Sequence, residues 1–120
     1  MRSRAVLIGT LAVAAFSGAV VGQPPHARAD VVAYLLNVTV RPGYNFANAD
    51  QALAYGNGVC DKIRGGEPFA QLVNDIKTDF NTSDEFQASY LVSQSAQELC
   101  PETIWQLRQS AAHYQPPPGS

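Results

Sequence analysis

From Asp30 onward, apolar residues recur at helical rather than strand spacing, and the runs are separated by Pro, Gly and Asn. Asp30 can cap a first helix reaching about Asn37, with Val31, Val32, Leu35 and Leu36 on its apolar side. Thr39-Val40 and the Arg41-Pro42-Gly43 turn end it. Asn48 and Gln51 form a capping-box pair that opens a second helix. Along it Ala52, Tyr55, Val59 and Ile63 share a face, Gly56 and Cys60 lie beside them, and Gly65-Gly66 closes the run. Pro68 suits the first turn of a third helix, where Phe69, Leu72, Val73, Ile76 and Phe80 make the clearest amphipathic stripe in the chain.

A second capping-box pair, Thr82 and Glu85, precedes a fourth helix. Its broad face carries Phe86, Tyr90, Val92, Ser93, Ala96, Leu99 and Cys100, and Gln87, Gln94, Ser95 and Glu98 fall on the other. Pro101 starts a last segment with Ile104, Trp105, Leu107 and Ala111, which ends before Pro116-Pro117-Pro118. Period-two alternation is nowhere sustained. The expected fold class is therefore all-α, a small bundle of four to five short helices forming one domain over 30–114, with an extended, mobile Pro-rich tail over 115–120.

The segment before Asp30 has a different logic. Arg2 and Arg4 precede a stretch from Ala5 to Gly22 without a single charge, and Ala27-Arg28-Ala29 is a small-x-small triplet of the kind a signal peptidase accepts. Residues 1–29 read as a signal peptide cleaved between Ala29 and Asp30, so the expected destination is secretion or the cell envelope. An uncleaved anchor is the competing reading, and the many small residues and the Pro24-Pro25 break stand against it. No stable membrane span is expected after cleavage. No Cys lies near the junction to take a lipid, and Ser3 separates the two arginines, so neither a lipoprotein nor a twin-Arg signal is present.

Composition sharpens this picture once the leader is set aside. The 120 residues hold 8 Lys+Arg and 10 Asp+Glu, a net charge of -2. Arg2, Arg4 and Arg28 depart with the leader, so the remaining 91 residues carry five basic and ten acidic groups, a charge of −5. Such a domain has no electrostatic reason to seek nucleic acid or anionic lipid.

Cys60 and Cys100 both lie in the exported part, where an even count in an oxidising compartment argues for pairing, and two cysteines allow one connectivity. The expectation is a bundle stapled by a Cys60–Cys100 disulfide. A redox or metal role is the weaker reading, since no Cys-x-x-Cys and no clustered His accompany them.

The residues that carry chemistry are sparse. His113 is the sole histidine after the leader, and no Gly-x-Ser-x-Gly, phosphate-binding glycine loop or His-Glu-x-x-His occurs. Asp75 and Asp79, with Asp84 and Glu85 just beyond, are the only arrangement resembling a carboxylate pair for acid/base hydrolysis. Asp79-x-Asn81-x-Ser83 opens like a calcium loop but lacks its turn glycine and closing glutamate. No metal, cofactor or catalytic residue is assigned, and the chain is not expected to be an enzyme. Gly56 and Gly58 inside a helix call for a reason, and close approach of a neighbouring element at Gly56 is the simplest. Tyr34, Tyr44, Phe46 and Trp105 fall outside the best helical faces, which makes them the candidates for a binding surface or an apolar pocket, against the plainer reading that they cover the open side of a small core.

Gly56-x-x-Val59-Cys60-Asp61-x-Ile63, Gly65-Gly66, Phe86 to Val92, Ala96 and Leu99-Cys100-Pro101-Glu102, placed behind a leader that ends at Asp30, resemble the small exported mycobacterial proteins of domain of unknown function 732. The resemblance spans about Asp30 to Glu102. It implies a small secreted helical domain with one disulfide and supplies no activity or site residue. Gly58 and the Trp105-bearing extension depart from it. The functional expectation is an exported, non-enzymatic binding or interaction module whose partner is an unidentified protein or envelope component. The alternative is a carrier of a small apolar ligand such as a lipid, and a small hydrolase using paired carboxylates is the remote third reading.

Overall fold

The computed structural model describes residues 29–118. The expected signal peptide lies outside the described residues, as do Gly119 and Ser120 at the end of the tail. Five α-helices follow in order among the described residues: α1 (Val31–Thr39), α2 (Ala49–Arg64), α3 (Phe69–Asp79), α4 (Glu85–Gln94) and α5 (Ile104–Ala111). A π-helical turn (Ser95–Leu99) extends α4, and a 3₁₀ turn (Pro101–Thr103) leads into α5. No strand occurs among the described residues, so the class is all-α as expected.

Local chemistry sets most boundaries. The Asp30 carboxylate accepts the Ala33 N–H at 2.9 Å and starts α1. Asn48 accepts from Gln51 N at 2.8 Å, and the Gln51 side chain reaches back to Ala47 N at 2.6 Å, so the capping box holds with its return bond one residue upstream. α2 and α3 both end in Schellman motifs, with Glu67 N bonded to Lys62 O and Thr82 N to Lys77 O. The left-handed residues these motifs require are Gly66 (φ 96°) and Asn81 (φ 52°).

The cap of α4 differs from the sequence expectation. Asp84, not Thr82, is the N-cap: its carboxylate accepts from Gln87 N at 3.1 Å, while Thr82 Oγ1 accepts only from Asp84 N. The Schellman turn closing α3 consumes Thr82, so the next helix begins later. Asp84→Ala is accordingly expected to lower stability by about 1 kcal/mol, and Thr82→Ala by clearly less, in urea midpoints. The reverse order would restore the Thr82–Glu85 box.

α1 is rotated relative to its simplest apolar pattern. It buries Tyr34 and Val38 and half-buries Leu35, leaving Val32, Leu36 and Val40 exposed along its outer side. The ring of Tyr34 is worth more in the core than a valine there, because its hydroxyl finds the Ala52 carbonyl at 2.8 Å. The core over which the helices close contains Ile63 of α2, Leu72, Val73 and Ile76 of α3, and Leu91 and Val92 of α4.

The disulfide joins α2 to the end of the α4 extension, with Cys60 and Cys100 Cα atoms 6.0 Å apart and both residues buried. A straight continuation of α4 to Cys100 was the expectation. Instead Cys100 N bonds Ser95 O across the wider π turn, and the buried Ser95 hydroxyl bonds Leu91 O at 2.8 Å. That turn keeps Ser95, Ala96, Leu99 and Cys100 all directed inward.

Gly56 marks the tightest approach within a helix of this fold. A Cβ there would lie 2.5 Å from Leu99 Cδ1 and 2.6 Å from the Tyr34 ring and hydroxyl, whereas one at Gly58 would meet nothing within 4 Å. The close neighbours are thus Tyr34 and Leu99, and not Ser93 or Ala96.

Candidate functional site

The segment between α1 and α2 is the only long irregular connection among the described residues, and two of the four candidate binding residues sit on it. Asn45 adopts the left-handed region (φ 52°), which lets Tyr44 and Phe46 turn to one side with ring centroids 6.0 Å apart. In an extended segment they would point to opposite sides. Tyr55 of α2 and Phe80 at the end of α3 complete the cluster. Phe80 is its centre, at 5.4 Å from Tyr44, 5.7 Å from Phe46 and 5.1 Å from Tyr55, with edge-to-face geometry throughout.

These four rings, with Gln51, Ala54 and Asp79, line an open pocket of about 480 Å³. Its polar element is built in: the Tyr55 hydroxyl donates to Asp79 Oδ2 at 2.6 Å. Burial, reinforced by the hydrogen bond to Asp79 and by that carboxylate's charge, pushes the Tyr55 hydroxyl well above the ordinary tyrosine range and keeps it a donor. Burial likewise pushes Tyr44 up to about 12.

Gln87 fixes the loop that carries Tyr44 and Phe46. Its amide nitrogen donates to Pro42 O at 3.0 Å, its side-chain oxygen accepts from Arg41 Nη2 at 3.4 Å, and its backbone carbonyl accepts from the Tyr44 hydroxyl. Gly43 (φ 109°) admits this clamp, since a Cβ there would fall 2.1 Å from Gln87 Nε2. Sequence reading placed Gln87 on a solvated face. A Pro-Gly turn whose backbone groups need partners was the only signal that a nearby amide would be drawn inward. Beside the clamp, the Arg41 guanidinium lies over Tyr90 at 4.3 Å and Phe86 at 5.1 Å.

The other two candidates are elsewhere. Tyr34 is wholly buried, so it belongs to the core and not to a surface, and burial pushes its hydroxyl up to about 12. Trp105 is 70% exposed on α5 and does not line the pocket.

The carboxylates of the remote hydrolase reading are scattered among separate structural bonds. Asp75 pairs with Lys62 at 3.0 Å. The hydrogen bond it shares with Glu67 holds Asp75 below the usual carboxylate range and raises Glu67. Glu85 pairs with Lys77 at 2.7 Å and accepts from the Tyr114 hydroxyl, Asp84 caps α4, and Asp79 serves Tyr55. No group of three or more His, Cys, Asp or Glu side chains placed to hold a metal ion occurs among the described residues; Asp79 ends α3, and Asn81 and Ser83 lie on the α3–α4 connection with Asn81 as its left-handed turn. No described helix is long and apolar enough to cross a membrane.

A second, smaller crevice of about 200 Å³ lies between α3, the π turn and α5, lined by Phe69, Ser93, Ala96, Ile104, Leu107 and Ala111 among others.

Fold and site together define a class: a small disulfide-closed helical domain that presents an open aromatic cup beside a filled core. The chain belongs to the DUF732 family, described as proteins of unknown function, whose family model matches residues 28–102. The match takes in both cysteines and every residue of the cup, and it stops short of α5 and Trp105. Neither a curated protein nor a solved structure matches the chain.

Proposed function

We propose that this is an exported binding module of mycobacterial type, acting at or beyond the cell envelope through the aromatic cup. The observation that carries this reading is the convergence of Tyr44, Phe46, Tyr55 and Phe80 from a loop and two helices around an open pocket. The rings touch one another and Tyr44 is buried among them, while Phe46, Tyr55 and Phe80 keep part of their surface open to solvent. Here a space of about 480 Å³ remains, within the roughly 300–1,000 Å³ of small-molecule and anchor-residue sites. The alternative carrier reading has the second crevice in its favour, but about 200 Å³ is below that range and too small for a lipid chain held between helices.

Native mass spectrometry of protein recovered from culture filtrate and from an envelope wash tests the reading. Expected is a chain beginning at Asp30 together with a noncovalent adduct that is released on unfolding. A bare mass in both fractions would overturn the binding role, and a retained leader would overturn export with cleavage.

A further inference from the structure

The cup has a chemical bias. Phe46 and Tyr55 are half-buried and present ring surface to the pocket, and an aromatic face carries negative charge density that attracts cations. Asp79 stands exposed at the rim. The Tyr55 hydroxyl fixes Oδ2 of that carboxylate, and none of the ion pairs among the described residues involves Asp79. Asp79 is also the last residue of α3, where the helix presents the negative end of its dipole. Rings, carboxylate and helix end therefore act in the same sense on one small volume, in a domain whose own charge is −5 without the leader.

The nearest cations are committed elsewhere. Lys62 pairs with Asp75, Lys77 with Glu85, and Arg41 lies over Tyr90 and Phe86 and bonds the Gln87 side chain. Arg41 also shows, within the same fold, that paired rings on this scaffold accept a guanidinium.

We infer that the aromatic cup receives a lysine or arginine side chain of a partner polypeptide, its aliphatic stem against Phe46 and Phe80 and its charged head between the Tyr55 ring and the Asp79 carboxylate. This rests on the reading of the cup as the binding site and adds the chemistry of what enters it. A neutral apolar ligand would place the fixed charge of Asp79, whose Oδ2 the Tyr55 hydroxyl already engages, beside an uncharged group. An anionic ligand would meet the carboxylate and the helix end directly.

The test titrates the full mature domain, residues 30–120, with three probes: Nα-acetyl-lysine N-methylamide, the arginine counterpart, and the norleucine counterpart, which has the same aliphatic stem as lysine and no charge. Aromatic ¹H–¹³C spectra report the site. Expected are saturating shifts of the Tyr44, Phe46, Tyr55 and Phe80 rings with dissociation constants of roughly 1–10 mM for the charged probes. The norleucine probe should bind at least about threefold more weakly. Asp79→Asn, which keeps an acceptor for the Tyr55 hydroxyl, should remove that preference with the remaining spectrum unchanged. The inference is overturned if norleucine binds as well as lysine, if Asp79→Asn leaves the preference intact, or if neither charged probe shifts the rings up to about 50 mM. Should the charged probes fail while the native adduct persists in wild-type protein and is lost on altering the cup, the cup stands as the site and only its cation chemistry falls.

Discussion

Replacing Cys60 and Cys100 together by Ser is expected to remove about 4 kcal/mol of stability, because the bridge closes a loop with a sequence separation of 40. For a domain of this size that corresponds to a fall in Tm of roughly 15–30 °C, a large share of what a small domain possesses. The effect is concentrated by geometry. The bridge ties α2 to the π turn after α4, and the same turn brings Leu99 against Gly56 and Tyr34. Loss of the bridge therefore also loosens the contact that holds α1 down. Thermal unfolding followed by circular dichroism, with and without reductant, measures it. A double variant that melts within a few degrees of wild type would show that the helices close without their staple.

Gly56→Ala is expected to be clearly destabilising although it adds a single methyl group in mid-helix. An added Cβ would sit 2.5 Å from Leu99 Cδ1 and 2.6 Å from the Tyr34 ring, and real carbon contacts do not come that close. Leu99 can swing away, but Tyr34 is fully buried and anchored by its bond to Ala52 O. Overpacking of this kind costs about 1–3 kcal/mol, against which the better helix propensity of Ala returns only about 1. Gly58→Ala provides the control two residues away on the same helix. It meets open space and should stabilise by about 0.5–1 kcal/mol. Equal behaviour of the two variants in urea unfolding would contradict the close approach at Gly56.

These two glycines show what was legible in the chain and what was not. That a glycine in α2 marks a close approach follows from helix propensity alone. Which element approaches depends on the rotation of α1 and on the π turn, and neither leaves a periodic signal. The helix count, the Gly65-Gly66 end of α2, the Asn48 cap and the cysteine pair all rest on interactions within a few residues or on a single possible connectivity, so they were readable. The Asp84 cap was not, because it is decided by where the preceding turn stops. Tyr34 was misjudged for a related reason: its position fits no simple stripe, yet its hydroxyl has a carbonyl partner in the core.

The cup was half legible. Tyr44 and Phe46 stood out as aromatic residues on an irregular segment. Tyr55 and Phe80, read as core positions from their helical spacing, are only half-buried and complete the pocket. Gln87, which holds the Tyr44 loop in place, looked like any polar surface residue. A site assembled from a loop, the middle of one helix and the end of another depends on long-range packing, and short-range patterns do not report it.

The most direct test of the cup as the binding site compares Phe46→Ser with Trp105→Ser, each recovered from culture filtrate and envelope wash and measured by native mass spectrometry after its fold is checked by circular dichroism. Phe46 is a wall of the pocket, and Trp105 is the most exposed aromatic among the described large hydrophobics, on α5 and outside the pocket lining. The expected result is that Phe46→Ser loses the noncovalent adduct of the wild-type protein and Trp105→Ser keeps it. Loss of the adduct with Trp105→Ser and its retention with Phe46→Ser would move the binding surface to α5 and contradict the account.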